Sequence, residues 1–108
     1  MKIVYSLAAR QDLNDIFEYI ANTLQASDTA AKVTRKIVHE IRLLEFMPER
    51  YPIYKKDPWH SQKVRFFPVK NYLIFYVVNK EESTISIIRI LYRGRNISNL
   101  IKILIHKS

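Results

Sequence analysis

The sequence contains no cysteine and only one glycine, Gly94, among its 108 residues. The absence of cysteine excludes disulfides, thiol catalysis and cysteine-based metal sites. A single glycine cannot build a glycine-rich phosphate loop, which excludes nucleotide cofactors bound in that way. No apolar run approaches the ~18 residues of a membrane span, and the apolar run at the N-terminus is too short for a signal peptide. We therefore expect a cytoplasmic protein without a cofactor.

Metal sites and acid–base chemistry also have little support in the sequence. The three histidines are scattered over a predicted helix, a predicted loop and the C-terminal region, and they show no metal-ligand spacing. Asp12, Asp15 and Glu18 are close enough in sequence to suggest paired carboxylates. They lie on the polar side of an amphipathic pattern, so we expect a solvated helix face instead.

Charge is distributed unevenly along the chain, whose net charge is +8. Residues 1–62 hold 9 Lys/Arg and 8 Asp/Glu, which leaves +1, whereas residues 63–108 hold 9 Lys/Arg and 2 Asp/Glu, which leaves +7. A field of this kind favours an anionic partner such as nucleic acid, an acidic protein segment or a membrane surface. A solvated basic surface without a special role is the alternative.

Hydrophobic periodicity predicts one domain over residues 1–108 with a strand first and two helices next. Residues 2–5 predict the strand, and Ser6 is a suitable N-cap for the helix that follows. The second helix is expected to begin after Ser27 or Asp28 and to end before Pro48. Each helix has one apolar stripe. The first stripe comprises Ala9, Leu13, Ile16, Phe17, Ile20 and Leu24, and the second comprises Ala30, Val33, Ile37, Ile41 and Leu44.

The second half of the sequence predicts a loop, three strands and a short helix. The loop covers residues 47–62 and is expected to expose Trp59. Strands are predicted at 63–67, 71–78 and 84–91, and the middle one is apolar on both faces, as a central strand should be. A C-terminal helix carries Ile97, Leu100, Ile101 and Leu104 on one face. The expected fold is a small α+β two-layer sandwich, with an antiparallel helix hairpin on one face of an antiparallel sheet.

The strongest candidates for a binding site are Arg65 in the predicted strand 63–67 and a group in or just after the last predicted strand: Arg89, Tyr92, Arg93 and Arg95. Arg65 alternates with apolar residues, and Arg89 interrupts an apolar strand, where an unpaired guanidinium would be costly to bury. We therefore expect Arg89 to reach a carboxylate, a sheet edge or a partner. Arg93 and Arg95 flank Gly94, where guanidinium groups suit phosphate or carboxylate recognition. The aromatic residues of the central strand, Tyr72, Phe75 and Tyr76, are expected to pack in the core rather than to stack on bases.

Four segments together resemble toxins of the RelE/ParE superfamily, and the ParE-like branch in particular. They are the helix Ala9–Ile20, the helix end at 43–52, the hairpin at 64–76 and the segment at 87–97, which includes Tyr92-Arg93-Gly94-Arg95-Asn96. The resemblance covers nearly the whole chain and preserves the order of elements. It implies the toxin of a bacterial type II toxin–antitoxin system, which a cognate and often acidic antitoxin neutralises by binding.

Three functions remain open: two toxic activities and binding without toxicity. ParE-like members inhibit DNA gyrase without cleaving nucleic acid, whereas RelE-like members cleave mRNA on the ribosome. A nuclease would use Arg65, Tyr92, Arg93 and Arg95, but the C-terminal catalytic tyrosine or His-Tyr pair of such enzymes is missing here, so we favour gyrase inhibition without enzyme activity. Arg65, Arg89, Arg93, Arg95, Leu100 and Leu104 are the residues expected to bind target or antitoxin. A basic binding module without toxicity is the third possibility.

Overall fold

The computed structural model describes residues 1–94 and Ile97 and shows two helices packed on a four-stranded sheet. The order of elements is β1 (Lys2–Tyr5), α1 (Leu7–Glu18), α2 (Ser27–Arg42), β2 (Arg65–Val69), β3 (Tyr72–Asn79) and β4 (Thr84–Tyr92). A π turn, Tyr19–Thr23, ends α1, and a 3-10 turn, Leu43–Glu45, ends α2. The predicted α+β fold is confirmed. The predicted C-terminal helix, with Leu100 and Leu104, lies outside the described residues apart from Ile97.

The helix hairpin packs largely as the sequence predicts, but α2 begins at Ser27 itself, and Ala26 at its N-cap provides no side-chain cap. Ser6 caps α1, because its Oγ accepts a hydrogen bond of 2.9 Å from the Ala9 N–H. The apolar stripe of α2 faces the core, where Ala30, Ile37 and Ile41 are buried. In α1 the stripe is interrupted near its end, since Leu24 is 56% exposed. The cause is the π turn, in which Leu24 N–H bonds to Tyr19 O at 3.1 Å, so that an extra residue rotates Leu24 out of the helical stripe.

The sheet has the order β1-β4-β3-β2 and is mixed rather than wholly antiparallel. Two short turns connect β2, β3 and β4 as antiparallel neighbours, as expected. However, β1 pairs in parallel with β4, with Lys2 opposite Thr84. The direction of β1 could not be read from the sequence, because its connection to the sheet passes through the whole helix hairpin and carries no turn signal. Both β3 and β4 are interior strands.

Strand β2 lies two residues later than predicted, for two local reasons. Lys63 has φ of 58°, a left-handed conformation that ends the preceding loop and is incompatible with a strand. Pro68 falls inside β2 rather than in the following turn. The sheet tolerates it because β2 is an edge strand, where a missing backbone donor can face away from the ladder.

Both faces of the sheet are covered, by different parts of the chain. Alternate residues of β3 point to the helices, and Ile74 and Tyr76 belong to that core. Phe75 points to the other face and packs against Trp59, with ring centroids 4.6 Å apart. The prediction of an exposed Trp59 was wrong, because its side chain is only 7% exposed. Tyr72 is half-buried, and Phe75 and Tyr76 are fully buried, as a core role requires.

None of the helices in the described part of the chain is both long enough and apolar enough to cross a bilayer.

Candidate functional site

Arg65 lies at the start of β2, where its guanidinium holds the preceding loop. Its Nη1 donates to the carbonyl oxygens of Glu49 and Tyr51 at 3.1 and 2.7 Å. Its Nη2 lies 3.4 Å from Glu49 Oε2, while Lys80 Nζ lies 2.8 Å from Oε1 of the same carboxylate. The hydrogen bond from Lys80, together with the positive charges of Lys80 and Arg65, lowers the pKa of Glu49. Much of the donor capacity of Arg65 is therefore used within the chain.

Arg89 forms a bidentate ion pair with Asp12 of α1. Arg89 Nε and Nη2 donate to Asp12 Oδ2 and Oδ1 at 2.7 and 2.9 Å. The hydrogen bond to Asp12 raises the pKa of Arg89 despite partial burial. The carboxylate anticipated for Arg89 is thus present within the chain, and the guanidinium side chain is only 16% exposed.

Asp12 was expected on a solvated helix face, and that prediction was wrong, because the residue is 9% exposed. The cause lies in the edge of β4. Strand β1 ends at Tyr5, so the N–H of Ile90 has no neighbouring strand on that side. Asp12 Oδ2 accepts this N–H at 2.9 Å and replaces the missing strand. Asp15 and Glu18 are exposed as predicted.

Beside this ion pair, α1, the π turn and the ends of β3 and β4 enclose a groove of about 890 Å³. Its floor is apolar, with Ile16, Ile20 and Ile90. Three exposed hydrophobic side chains contribute to its lining, Tyr19 at 54% exposure, Leu24 at 56% and Tyr92 at 53%. The complete lining is Asp12, Asp15, Ile16, Tyr19, Ile20, Leu24, Thr29, Val33, Lys70, Asn71, Tyr72, Ile90 and Tyr92. An open apolar surface of this size is suited to a protein partner.

The single glycine fixes a tyrosine at the end of this groove. A Cβ atom at Gly94 would lie 2.4 Å from Cε2 of Tyr92, so the ring lies directly over the glycine. The same ring meets Tyr72 edge to face, with centroids 6.1 Å apart. Burial, and then the neighbouring Tyr92 and Tyr19, raise the pKa of Tyr72. Tyr72 and Tyr92 therefore form an aromatic pair in the groove, whose lining also includes Tyr19. Gly94 allows the Tyr92 ring to approach the backbone closely.

The sequence indicated Tyr92 as a candidate site residue but did not indicate the other two exposed hydrophobic residues of the groove, Tyr19 and Leu24. Tyr19 carried no signal, and Leu24 was assigned to the buried stripe of α1. Their exposure follows from the π turn, which no residue pattern in the sequence predicts.

Arg65 and Tyr92, two of the residues predicted for a nuclease, do not lie close together. Arg65 on β2 is opposite Tyr76, whereas Tyr92 on β4 is opposite Tyr72. The two positions are roughly 13 Å apart along β3, at ~3.3 Å per residue, and they lie on opposite sides of that strand. Arg93 is exposed at the end of β4, and its N–H donates to Asn71 O at 2.8 Å. Arg95, Leu100 and Leu104 lie outside the described residues.

No group of three His, Asp or Glu side chains within residues 1–94 and Ile97 is arranged to hold a metal ion.

One family model and several solved structures match this chain. Residues 3–97 match the family model described as the ParE toxin of the type II toxin–antitoxin system parDE. A solved structure of the chromosomal ParDE toxin–antitoxin system from P. aeruginosa has a TM-score of 0.71 and 20% identity, and the match covers 85% of this chain and 95% of that one. The toxin–antitoxin complex RelBE2 from Mycobacterium tuberculosis has a TM-score of 0.63 and 16% identity, covering 85% and 96%. No curated protein matches the sequence significantly. The chain belongs to the ParE toxin family of type II toxin–antitoxin systems.

Proposed function

We propose that this toxin inhibits DNA gyrase in the cytoplasm and that a cognate antitoxin neutralises it by direct binding. The observation that carries the proposal is the match of residues 3–97 to the ParE toxin model. The similarity to a chain of the P. aeruginosa ParDE system supports it further. A gyrase inhibitor acts by binding a protein and needs no catalytic group of its own.

The positions of the candidate nuclease residues favour inhibition by binding. Cleavage of RNA needs a base, an acid and a cation around one phosphate. Arg65 is bound to the loop that contains Glu49 and Tyr51. Tyr92 lies across β3 from it, at the other end of the strand pairing. These two side chains therefore do not contact the same phosphate in this arrangement.

The groove is the surface that we assign to the antitoxin. An amphipathic helix buries its apolar face in such a groove, and aromatic side chains in it supply much of the binding energy. Tyr19, Leu24 and Tyr92 present apolar surface at the groove. Arg93 follows Tyr92 in the chain, and we extend the surface to Arg95, Leu100 and Leu104 on the basis of the sequence. A net charge of +8 favours an acidic antitoxin.

Two exposed leucines provide a matched test of the groove. Leu24 is 56% exposed at the rim of the groove, and Leu7 is 84% exposed at the start of α1, outside the lining. Leu24→Lys is expected to weaken binding of the cognate antitoxin at least tenfold, whereas Leu7→Lys should leave it unchanged. Titration calorimetry measures both. Equal affinities for the two variants would rule out the groove.

The target is tested with purified toxin in gyrase supercoiling and cleavage assays. We expect supercoiling to be lost as the concentration of toxin is raised. In parallel, mRNA is followed in a translation extract. Active gyrase in excess toxin, with mRNA cut in the extract, would reject the proposal.

Ribosome-dependent mRNA cleavage is the second candidate, favoured by the similarity to a chain of the RelBE2 complex. Under this alternative, replacing Arg65, Tyr92 and Arg95 by alanine should abolish toxicity while the circular dichroism spectrum is retained. Full toxicity of the triple variant would reject it. If regulated expression in bacteria does not arrest growth at all, the chain is a basic binding module without toxicity, the third candidate.

A further inference from the structure

The loop between the helix hairpin and β2 carries a basic surface on the side of the sheet opposite the helices. Lys55, Lys56, His60 and Lys63 are all exposed. We propose that this basic loop, residues 55–63, binds the phosphodiester backbone of duplex DNA. The choice of DNA rests on the proposed function, because gyrase presents DNA to any protein bound beside it.

The basic loop is held rigidly by the aromatic side chains beneath it. Trp59 packs on Phe75, and Tyr54 meets Trp59 edge to face with centroids 5.8 Å apart. Val64 N–H donates to Trp59 O at 2.9 Å, and Tyr54 N–H donates to Val64 O at 2.7 Å. Because the backbone is already fixed, binding costs little conformational entropy. The lysines are presented from a preformed surface.

The one acidic residue of the basic loop is engaged within it. Asp57 Oδ1 accepts a hydrogen bond of 2.8 Å from the Ser61 N–H and another from the Ser61 hydroxyl. These bonds lower the pKa of Asp57. The ion pairs in the described part of the chain involve Lys36, Arg65, Lys80 and Arg89 and leave Lys55 and Lys56 out. The two adjacent lysines therefore form no ion pair within the described residues.

Most acidic side chains lie in the other layer of the molecule. Six of the 10 Asp and Glu residues belong to the helices and the turn that ends α2. No acidic residue occurs between Asp57 and Glu81. Glu49 is an acid that lies near the basic loop, beside Lys63. Its carboxylate is already bound by Lys80 and Arg65.

The surface chemistry favours duplex DNA over two other anionic partners. A protein interface needs an apolar core, but the exposed large hydrophobic side chains of the described chain all lie outside residues 48–91. Single-stranded nucleic acid is held by bases stacked on aromatic rings, and here Trp59 is turned inward. Charged side chains without exposed aromatic or aliphatic neighbours match the sugar–phosphate backbone, whose binding is dominated by cations and released counterions.

Fluorescence anisotropy with a labelled 20-base-pair duplex tests the proposal on the purified full-length toxin without gyrase. The loop variant is Lys55→Glu with Lys56→Glu. The control is Lys32→Glu with Arg35→Glu on the exposed face of α2, which changes net charge equally. We expect the loop variant to raise Kd at least tenfold and the control less than threefold. The slope of log K against log salt should fall by about 1.8 in the loop variant, as for two lost phosphate contacts.

Two further probes have defined outcomes. Single-stranded RNA of equal length and a poly-glutamate peptide should bind the unaltered toxin more weakly than the duplex does. Equal losses in both variants, or tighter binding of either probe, would overturn the proposal. Gyrase inhibition is measured separately, so loop-dependent DNA binding by a toxin that leaves gyrase active would reject only the proposed function.

Discussion

Asp12 in α1 and Arg89 in β4 are joined by two hydrogen bonds of 2.7 and 2.9 Å across 77 positions of the chain. The same carboxylate accepts the N–H of Ile90. One side chain thus connects the helix layer to the sheet where β1 no longer flanks β4. Removing it leaves a guanidinium and a backbone donor without their partner.

Asp12→Asn is therefore expected to destabilise the fold by about 3 kcal/mol, because loss of one member of a largely buried ion pair leaves the charge of the other unpaired. Urea denaturation measures the change. Asp15→Asn, on the exposed side of the same helix, should change stability by less than about 0.5 kcal/mol. Replacing the pair by Asp12→Leu with Arg89→Met should recover much of the loss. An Asp12 variant as stable as the Asp15 variant would contradict the role of the pair.

Alkaline pH should destabilise the protein through Tyr76. Its hydroxyl donates to Pro48 O at 2.7 Å, and burial raises its pKa to about 12 from 10.0. A raised pKa in the folded state means that stability is fully present below pH 10 and is lost as pH rises toward 12, by roughly 2–3 kcal/mol in all.

Unfolding free energies at several pH values above 9 measure this dependence. Tyr76→Phe should show a shallower decline with pH, and near neutral pH it should be about 1 kcal/mol less stable because the hydrogen bond is lost. A residual slope is expected from Tyr5 and Tyr72, whose pKa values are also raised by burial. An identical slope in both proteins would show that Tyr76 ionises as freely in the folded state as in the unfolded one.

Trp59→Ala should cost about 3–4 kcal/mol, since the indole fills the contact between the loop and Phe75. Phe46 is a matched control, because it is aromatic but 78% exposed. Phe46→Ala should change the unfolding midpoint little. Circular dichroism is the suitable signal for both variants, because Trp59 is the only tryptophan. A mild effect at position 59 would mean that the loop folds without its indole.

Gly94→Ala should displace the Tyr92 ring, because the new Cβ would lie 2.4 Å from Cε2. Tyr92 is 53% exposed, so we expect the ring to move at little cost in global stability. In NMR spectra, the contacts between the rings of Tyr72 and Tyr92 should disappear in this variant. Arg93→Ala adds no atom beneath the ring and should retain them. Unchanged ring contacts in the alanine variant at 94 would exclude a role of the glycine in placing Tyr92.

The sequence predicted what depends on local periodicity. Ser6 was recognised as a cap, and the stripe of α2 was assigned to the core, because each rests on residues within one or two turns of helix. Tyr76 was placed in the core for the same reason, since its strand is apolar on both faces. The parallel pairing of β1 rests on contacts between distant segments, which no local pattern records.

The candidate site was less accessible from the sequence than the fold. Arg89 was expected to have a partner because of the cost of burying a free guanidinium, yet Asp12 was left on the solvated face. Helical periodicity predicts burial from the position of a residue around the helix. It cannot predict that a carboxylate on the polar side will bind a backbone N–H at the edge of a strand. The exposure of Tyr19 and Leu24 at the groove follows from the π turn, which the sequence pattern does not predict.

The parallel pairing of β1 with β4 also sets the order in which the molecule can be completed during synthesis. Tyr5 leaves the ribosome well before its partner Ile87, which follows more than eighty residues later. Until then the growing chain can form the helix hairpin but not the complete sheet beneath it. The groove therefore lacks the part of its floor that Ile90 of β4 provides. The groove that we assign to the antitoxin is therefore completed only after β4 has been synthesised, so an antitoxin already present can bind it as soon as it forms.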